Sequence, residues 1–172
     1  LKDRLYTANW KENSYTIVFN VEGEVTRGEM KNIPLRYTQE TTIPENGYVC
    51  GGYKFVGWRT GGKKSEQKVY QPGDKVSRLC ATNNGTVNLY PIWEPCEYTI
   101  TFDYQTGNKR EKVTCKYKET YTLPTVNRLG WTFEGWSRFA GSTNVISYAP
   151  NVKTAVFEDE KDLTLYAVYK PI

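Results

Sequence analysis

An internal repeat constrains this chain more than any other feature, because three sequence signatures each occur twice and in the same order. The second copies follow the first by 83, 78 and 76 residues. These unequal offsets place insertions and deletions in loops, so the pattern predicts two copies of one small unit, and each copy then mainly contacts its neighbours. The paired segments are 15–20 with 98–103, 52–58 with 130–136, and 87–93 with 163–169.

The first signature predicts a half-buried strand. Tyr98, Ile100 and Phe102 alternate with polar residues, and the earlier copy repeats this pattern with Tyr15, Ile17 and Phe19. A turn over residues 105–108 contains Gly107, which allows the positive φ that a tight hairpin needs. The third signature is apolar on both faces, which predicts a central position in the sheet. Aromatic residues make up 15% of the chain and also favour strands.

The repeat divides the chain into three parts. We assign residues 14–96 to the first module and 97–172 to the second. Residues 5–10 resemble the third signature, so 1–13 are interpreted as the tail of a preceding module. The chain opens with Leu instead of Met, and we expect it to be a fragment of a longer array.

The order of the signatures resembles a known family. Y-T-[IV]-x-F, a Pro-containing link, G-[YW]-x-F-x-G-W and L-Y-x-x-[WY] are similar to the internalin-type B repeat, also called the Listeria–Bacteroides repeat, over 15–93 and 98–169. The resemblance implies a β-grasp-like fold in multi-repeat cell-surface proteins, without a catalytic site or cofactor. The expected fold class is mainly β (β-grasp-like α+β with little helix), with two tandem small modules in an elongated arrangement. Four cysteines and a longer loop at 61–76 depart from the pattern.

The cysteines predict one disulfide in each module. Four cysteines allow three pairings, and each module has two cysteines where the other module has none. This distribution favours Cys50–Cys80 and Cys96–Cys115. A hairpin centred near residue 106 places Cys96 opposite residues 115–116 and on the same face, within reach of a cross-strand bridge. Such bridges indicate an extracellular or cell-surface location; free thiols in a reducing compartment are the alternative.

Several function classes are disfavoured by composition. The absence of histidine excludes Ser–His and Cys–His nucleophilic catalysis. The chain also lacks the C-x-x-C spacing that is typical of zinc sites. The net charge of +4 is spread over all three parts, so nucleic acid is a poor partner. No apolar run reaches the roughly 20 residues that span a bilayer, so this fragment is not expected to insert into a membrane. The acidic run 158–162 is interpreted as a polar turn, and we expect no enzyme, no cofactor and no metal site.

Two surface features remain as binding candidates. The outward row Arg110, Lys112, Lys116 and Lys118 suits either an anionic polymer or protection of a sheet edge. Asn84-Gly85-Thr86 fits an N-glycosylation acceptor. Phe55, Trp58, Phe133 and Trp136 of the second signature recur in both copies and are assigned to the core, with a carbohydrate platform as the alternative. The aromatic residues that do not recur form the candidate ligand surface, chiefly Tyr70, Tyr104, Phe139 and Tyr148.

Two functions follow from these patterns. The first is a rigid spacer or adhesin stalk whose partners are neighbouring repeats in the same chain. The alternative is a module that recognises a host protein or glycan through loops such as 61–76 or 139–152, which differ between the copies.

Overall fold

The structure is a computed structural model that describes residues 3–23, 25–144 and 146–172. The chain forms two compact units. Unit 1 contains Leu1–Cys50 and Phe55–Trp93, and unit 2 contains Gly51–Lys54 and Glu94–Ile172. Within the described ranges the regular structure is almost entirely strand, with one 3₁₀ turn at Lys64–Glu66 and no α-helix.

Unit 1 is organised around a mixed sheet of order β3-β1-β9-β6-β7. The central neighbours β1 and β9 are parallel, whereas β3 and β7 pair antiparallel with β1 and β6. Two short ladders, β2–β5 and β4–β8, complete the unit. Its strands are β1 (Ser14–Phe19), β2 (Val25–Arg27), β3 (Ile33–Arg36), β4 (Thr41–Thr42), β5 (Val49–Cys50), β6 (Tyr53–Thr60), β7 (Val69–Tyr70), β8 (Lys75–Val76) and β9 (Gly85–Pro95).

The alternation of β1 creates the core of unit 1. Tyr15, Ile17 and Phe19 are buried on one face of the strand. The Trp58 indole packs edge-on against Phe19 with ring centroids 4.8 Å apart. This arrangement suits aromatic rings and adds roughly 0.5–1.5 kcal/mol to the burial of their area.

Unit 2 repeats the same sheet with order β11-β10-β15-β13. The first and last strands of the repeat, β10 and β15, are again parallel and central. A separate ladder joins β12 to β14. The strands are β10 (Glu97–Asp103), β11 (Arg110–Lys116), β12 (Thr120–Thr122), β13 (Trp131–Ser137), β14 (Thr154–Val156) and β15 (Leu163–Pro171).

A β-bulge in β13 delivers Trp136 into the core of unit 2. The register with β15 shifts between Phe133 and Gly135, and Gly135 adopts φ +127°. A Cβ on Gly135 would overlap the carbonyl oxygen of Tyr148, so only glycine fits. The Trp136 amide donates to that same carbonyl at 2.9 Å. The bulge therefore fixes both the loop that contains Tyr148 and the buried indole.

The main features of the sheet agree with the sequence. The prediction of a mainly β fold is confirmed, and so is the central position of the third-signature strands β9 and β15. Gly107 adopts φ +59° in the turn between β10 and β11. The sequence did not predict the ladders β4–β8 and β12–β14. Residues 3–13 form no strand, and Leu5, Tyr6 and Trp10 are exposed, so the assignment of 1–13 to a preceding module stays a prediction.

The hairpin register of unit 2 differs from the one expected for a Cys96–Cys115 bridge. Cys115 lies opposite Tyr98, and the Tyr117 amide donates to the Cys96 carbonyl at 2.9 Å. The two cysteines share a face but are diagonal neighbours, about 7–8 Å apart, which is beyond the usual disulfide geometry. The expected register was wrong by one to two residues, because the turn places Cys96 opposite Tyr117 instead of residues 115–116. Both residues are thiols here, and burial raises the pKa of Cys115.

The other predicted pair lies at two different places in unit 1. Cys80 packs against the core beside Gly85, which is opposite Tyr15 near the beginning of β1. Cys50 follows Tyr48, whose hydroxyl donates to the Phe19 carbonyl at the end of β1. The Cys50–Cys80 bridge stays a prediction, which peptide mapping tests.

Candidate functional site: the aromatic surfaces of unit 2

The ends of β13 and β15 form an aromatic cleft in unit 2. Trp131 pairs with Pro171, and Phe133 pairs with Tyr169 two register positions further along. These apolar groups continue the core face past the end of the packed interior. The resulting cleft has a volume of about 500 Å³. Its wall is lined by Trp131, Glu134, Thr143, Asn144, Ile146, Tyr169, Lys170 and Pro171.

A stacked arginine fixes the rings of this cleft. The Arg128 guanidinium lies 4.4 Å from the Trp131 ring centroid and 5.1 Å from that of Tyr169. A bridge between Arg128 and Trp131, with Gly130 at φ +79°, turns the chain so that the guanidinium faces both rings. Each such contact contributes roughly 0.5–1 kcal/mol at an exposed site, so Arg128 favours this arrangement of the two rings.

Two hydrogen bonds anchor the base of the cleft. The Tyr169 hydroxyl donates to the Tyr104 carbonyl at 2.8 Å, and the Gln105 side-chain amide donates to the Ala167 carbonyl at 2.7 Å. Burial raises the pKa of Tyr169 against the opposing effect of Arg128. The phenol therefore remains a neutral donor at physiological pH.

A second aromatic contact in unit 2 involves residues 51–54, which carry the beginning of the first copy of the second signature. The Cys96 amide donates to the Gly52 carbonyl at 2.8 Å. The rings of Tyr53 and Tyr117 meet edge-on with centroids 5.3 Å apart. A Cβ on Gly52 would overlap the Tyr117 ring, so the tyrosine packs directly on the glycine backbone.

A small apolar cleft lies on another side of unit 2. Its volume is about 210 Å³, and its walls include Leu123, Pro124, Trp136, Val152 and Lys153. The Trp136 indole N–H donates to the Pro124 carbonyl at 3.2 Å, which ties this wall to the core. Small-molecule sites usually occupy about 300–1,000 Å³, so this cleft is large enough for only one ring or a short aliphatic group.

Three of the four predicted ligand-surface aromatics are held in or against a core. Tyr104 is only 6% exposed, and its hydroxyl donates to Glu111 at 2.7 Å. Burial followed by the Glu111 contact raises its pKa to about 12. Tyr70 packs against the core of unit 1. Tyr148 packs edge-on against Phe157. These contacts give the three rings packing roles.

Phe139 is the predicted aromatic that lies on the surface. It is 62% exposed in the loop after β13. The neighbouring Arg138 anchors this loop by donating to Asp159 at 2.7 Å and to the Tyr148 hydroxyl at 2.9 Å. The Arg138 contact lowers the pKa of Asp159. An ordered loop therefore presents the Phe139 ring to solvent.

Residues of the acidic run, the basic row and the glycosylation tripeptide each make hydrogen bonds within the protein. Asp162 accepts from the Thr99 amide at 2.7 Å. Arg110, from the outward basic row, donates to Asp103 at 2.8 Å, and β11 lies at the sheet edge. Asn84 of the acceptor tripeptide is exposed with φ +56°, and its side-chain oxygen accepts from Ser14. In the part of the chain that the structure describes, no His, Cys, Asp or Glu residues cluster as metal ligands.

The sequence did not predict the cleft lined by Trp131 and Tyr169, on whose rings Arg128 stacks. Both aromatic residues belong to repeated signatures, but the core prediction named only Phe55, Trp58, Phe133 and Trp136. The available signal is position: Trp131 begins β13, two residues before the core residue Phe133 and next to the left-handed Gly130. A ring at the beginning of a strand extends past the neighbours that would cover it.

Comparison with known proteins identifies the family and two named relatives. The family model of the Listeria-Bacteroides repeat domain matches residues 15–90 and 98–168. A protein of Evansella cellulosilytica named "Putative Gly-rich membrane protein" is 26% identical over 78% of this chain and 15% of its own length. Another from the same organism, named "Putative membrane protein", is 26% identical over 95% of this chain and 22% of its own length. The chain thus spans less than a quarter of these relatives, and none of its described helices could cross a membrane.

Proposed function

Because this chain belongs to the Listeria-Bacteroides repeat family, we propose that it is a non-catalytic spacer of a cell-surface protein. In this role each repeat supplies length and stability, and a different part of the parent protein carries recognition or catalysis. Repeats that mainly contact their neighbours allow the length to change by whole units without refolding the rest.

The observation that carries this proposal is the duplication of one scaffold under different loops. Both units place the first and last strands in parallel at the centre and bury an equivalent tryptophan. Their connections differ, with residues 61–68 and a 3₁₀ turn in unit 1 and the Phe139-bearing loop in unit 2. Selection for a spacer preserves the sheet and tolerates such loop changes.

The relatives support a cell-envelope location. Both are named as membrane proteins, and their matched part is a small share of a long chain. A segment of this kind suits the portion of an envelope protein outside the membrane. The predicted Cys50–Cys80 bridge belongs to this proposal, because a disulfide requires an oxidising compartment.

Replacement of the segment in its parent protein tests the spacer role. One variant lacks residues 14–172, and a second carries unrelated folded repeats of equal length in their place. A spacer predicts that deletion reduces antibody access to an epitope on the distal side, and that the unrelated repeats restore it. Failure of restoration at equal surface abundance would contradict a spacer and indicate a specific role for this sequence.

The second candidate is recognition of a host protein or glycan through the loops of unit 2. The observation that favours it is the exposed Phe139 on a loop anchored by Arg138 and Asp159. Exposed aromatic rings on ordered loops are frequent contacts at protein interfaces.

A glycan array and a host-cell binding assay on the full chain test recognition. Saturable binding that Phe139→Ala abolishes, and that the matched exposed variant Val69→Ala in unit 1 leaves intact, would support the loop as a binding site. Binding that survives Phe139→Ala would contradict this assignment.

A further inference from the structure

A tyrosine occupies the same register position in both repeats. Tyr15 lies opposite Leu35 and Tyr98 lies opposite Cys115, so Tyr37 and Tyr117 are equivalent residues two positions later. The backbone amides confirm this equivalence. Tyr37 donates to the Asn13 carbonyl at 2.8 Å, and Tyr117 donates to the Cys96 carbonyl at 2.9 Å. Each repeat therefore places the backbone of one tyrosine beside the residue that precedes its first strand.

In unit 2 the ring of Tyr117 has a defined contact. It packs on the backbone of Gly52 and edge-on against Tyr53, and the Cys96 amide donates to the Gly52 carbonyl. Cys96 is thus held from both sides, since its amide bonds Gly52 and its carbonyl accepts from Tyr117. Gly52 and Tyr53 begin the G-[YW]-x-F-x-G-W signature. The Tyr117 ring therefore contacts the first two residues of this signature.

Unit 2 has an equivalent set of groups whose glycine has no packing neighbour among the described residues. By the repeat offsets, Gly130, Trp131, Pro171 and Ile172 correspond to Gly52, Tyr53, Pro95 and Cys96. The Ile172 amide donates to the Gly130 carbonyl at 3.2 Å, which reproduces the bond between Cys96 and Gly52. A Cβ on Gly130 would meet no described atom within 4 Å, whereas one on Gly52 would overlap Tyr117. The Ile172 side chain is also exposed.

We propose that Gly130, Trp131, Pro171 and Ile172 form an acceptor surface for a further repeat of the same family. The incoming repeat places the tyrosine equivalent to Tyr37 and Tyr117 on Gly130 and against the Trp131 ring. Its backbone amide donates to the Ile172 carbonyl, as the two known tyrosines do to Asn13 and Cys96. Arg128, stacked on Trp131, keeps the acceptor ring in place. This inference rests on the proposed spacer role, because it supplies the contact by which repeats add in series.

A chain extended by one repeat tests the acceptor surface. A second copy of residues 97–172 is joined directly after Ile172, which preserves the spacing from Cys96 to Glu97. We expect the Ile172 amide to exchange its hydrogen at least about tenfold more slowly than in the original chain, because a covered hydrogen bond opens less often. The Trp131 indole N–H resonance should shift as well.

Two variants of the extended chain identify the responsible ring. Tyrosine-to-alanine substitution in the added copy of Tyr117 should restore fast exchange at Ile172. Tyr37→Ala, the equivalent change in the first repeat, should leave Ile172 protected. Unchanged Ile172 exchange and Trp131 shift in the extended chain, with the added repeat folded, would overturn the proposal. The cell-surface replacement experiment could still support a spacer in that case, so the two failures are distinguishable.

The original chain supplies an independent test that does not depend on folding of the added repeat. Tyr117→Ala should speed exchange of the Cys96 amide at least about tenfold, and Tyr117→Phe, which keeps the ring, should leave it slow. The Trp136 indole resonance reports that unit 2 remains folded. Slow Cys96 exchange in folded Tyr117→Ala would show that the ring does not protect this contact, and the acceptor surface would lose its basis.

Discussion

Unit 1 and unit 2 bury equivalent tryptophans in equivalent places but treat their indole N–H groups differently. Trp58 packs on Phe19 and Trp136 packs on Phe102, with ring centroids 4.8 and 5.0 Å apart. The Trp136 indole donates to the Pro124 carbonyl, whereas that of Trp58 has no hydrogen-bond partner among the described residues. Both units therefore share the ring packing, but only unit 2 has a protein acceptor for the indole N–H among the described residues.

This difference shows which part of a repeat is constrained most tightly. The packing of the tryptophan on the phenylalanine ring requires only the sheet and the alternating strand faces, and both copies retain these. The indole acceptor Pro124 lies in the connection between β12 and β13, and the corresponding connections of the two copies differ in length. Loops thus determine hydrogen bonding and stability, whereas the sheet determines the core.

Loss of a whole indole should have the largest effect and should stay within one unit. Trp136→Ala removes a fully buried ring, and such changes cost about 3–5 kcal/mol. We expect unit 2 to unfold at lower urea concentration while the Trp58 indole N–H resonance of unit 1 persists. Trp58→Ala should do the reverse. Simultaneous loss of both resonances in either variant would show that the two units unfold as one cooperative structure.

The bulge glycines should respond unequally to alanine. Gly135 and Gly57 are equivalent and have φ +127° and +154°. A Cβ on Gly135 meets a backbone carbonyl, whereas one on Gly57 first meets the side-chain amide of Gln71, which can move. Backbone strain of this kind costs about 1–3 kcal/mol, and we expect about 3 kcal/mol for Gly135→Ala but about 1 kcal/mol for Gly57→Ala. Urea unfolding of the two variants checks the order, and equal losses would contradict it.

Phenylalanine at the two tryptophan positions isolates the indole hydrogen bond. Trp136→Phe leaves the Pro124 carbonyl without its donor, whereas Trp58→Phe removes a donor that has no partner. Because both changes shrink the ring equally, their difference reports the bond, and Trp136→Phe should cost about 1 kcal/mol more. Thermal unfolding followed by the remaining indole resonances measures it. A larger loss for Trp58→Phe would mean that its N–H is satisfied by solvent.

Acid should weaken unit 2 through Asp103, which replaces the Asn20 of unit 1. Burial alone would raise the pKa of Asp103, but the Gln105 amide and Arg110 lower it below its usual 3.8. A carboxyl group with a lowered folded pKa stabilises the protein above about pH 4, and this contribution is lost as the pH falls through the folded value. Asp103→Asn should therefore cost about 1 kcal/mol at pH 7 and much less near pH 2.

The control for the acid prediction is Glu97→Gln, an exposed position on the same strand, which should change the stability little at either pH. Unfolding curves at pH 7 and pH 2 make the comparison. Asp159, whose pKa is also lowered, retains part of the acid sensitivity of unit 2 in Asp103→Asn. If Asp103→Asn lowered the free energy of unfolding equally at both pH values, the charge of Asp103 would not be the source of its contribution.

Particular residues show how far the sequence predicted the fold and the site. Tyr98 to Phe102 alternate, so the inward face of β10 was predictable, and the same alternation extended to Tyr104 would also have predicted its burial. The β12–β14 ladder was not predictable, because strands of three residues about 30 residues apart are too short to leave a periodic signal. The aromatic cleft was not predictable for a related reason, because Trp and Tyr line the cleft and also occur in the two cores.

The sequence by itself determined that two copies of one sheet are present, which face of each strand is buried and which strand is central, because these properties follow from local periodicity and duplication. Only the tertiary structure decided the hairpin register, the covering of Gly52 by Tyr117 and the open equivalent at Gly130. These depend on loop length and on contacts between residues far apart in the chain, where a displacement of one or two residues changes every partner.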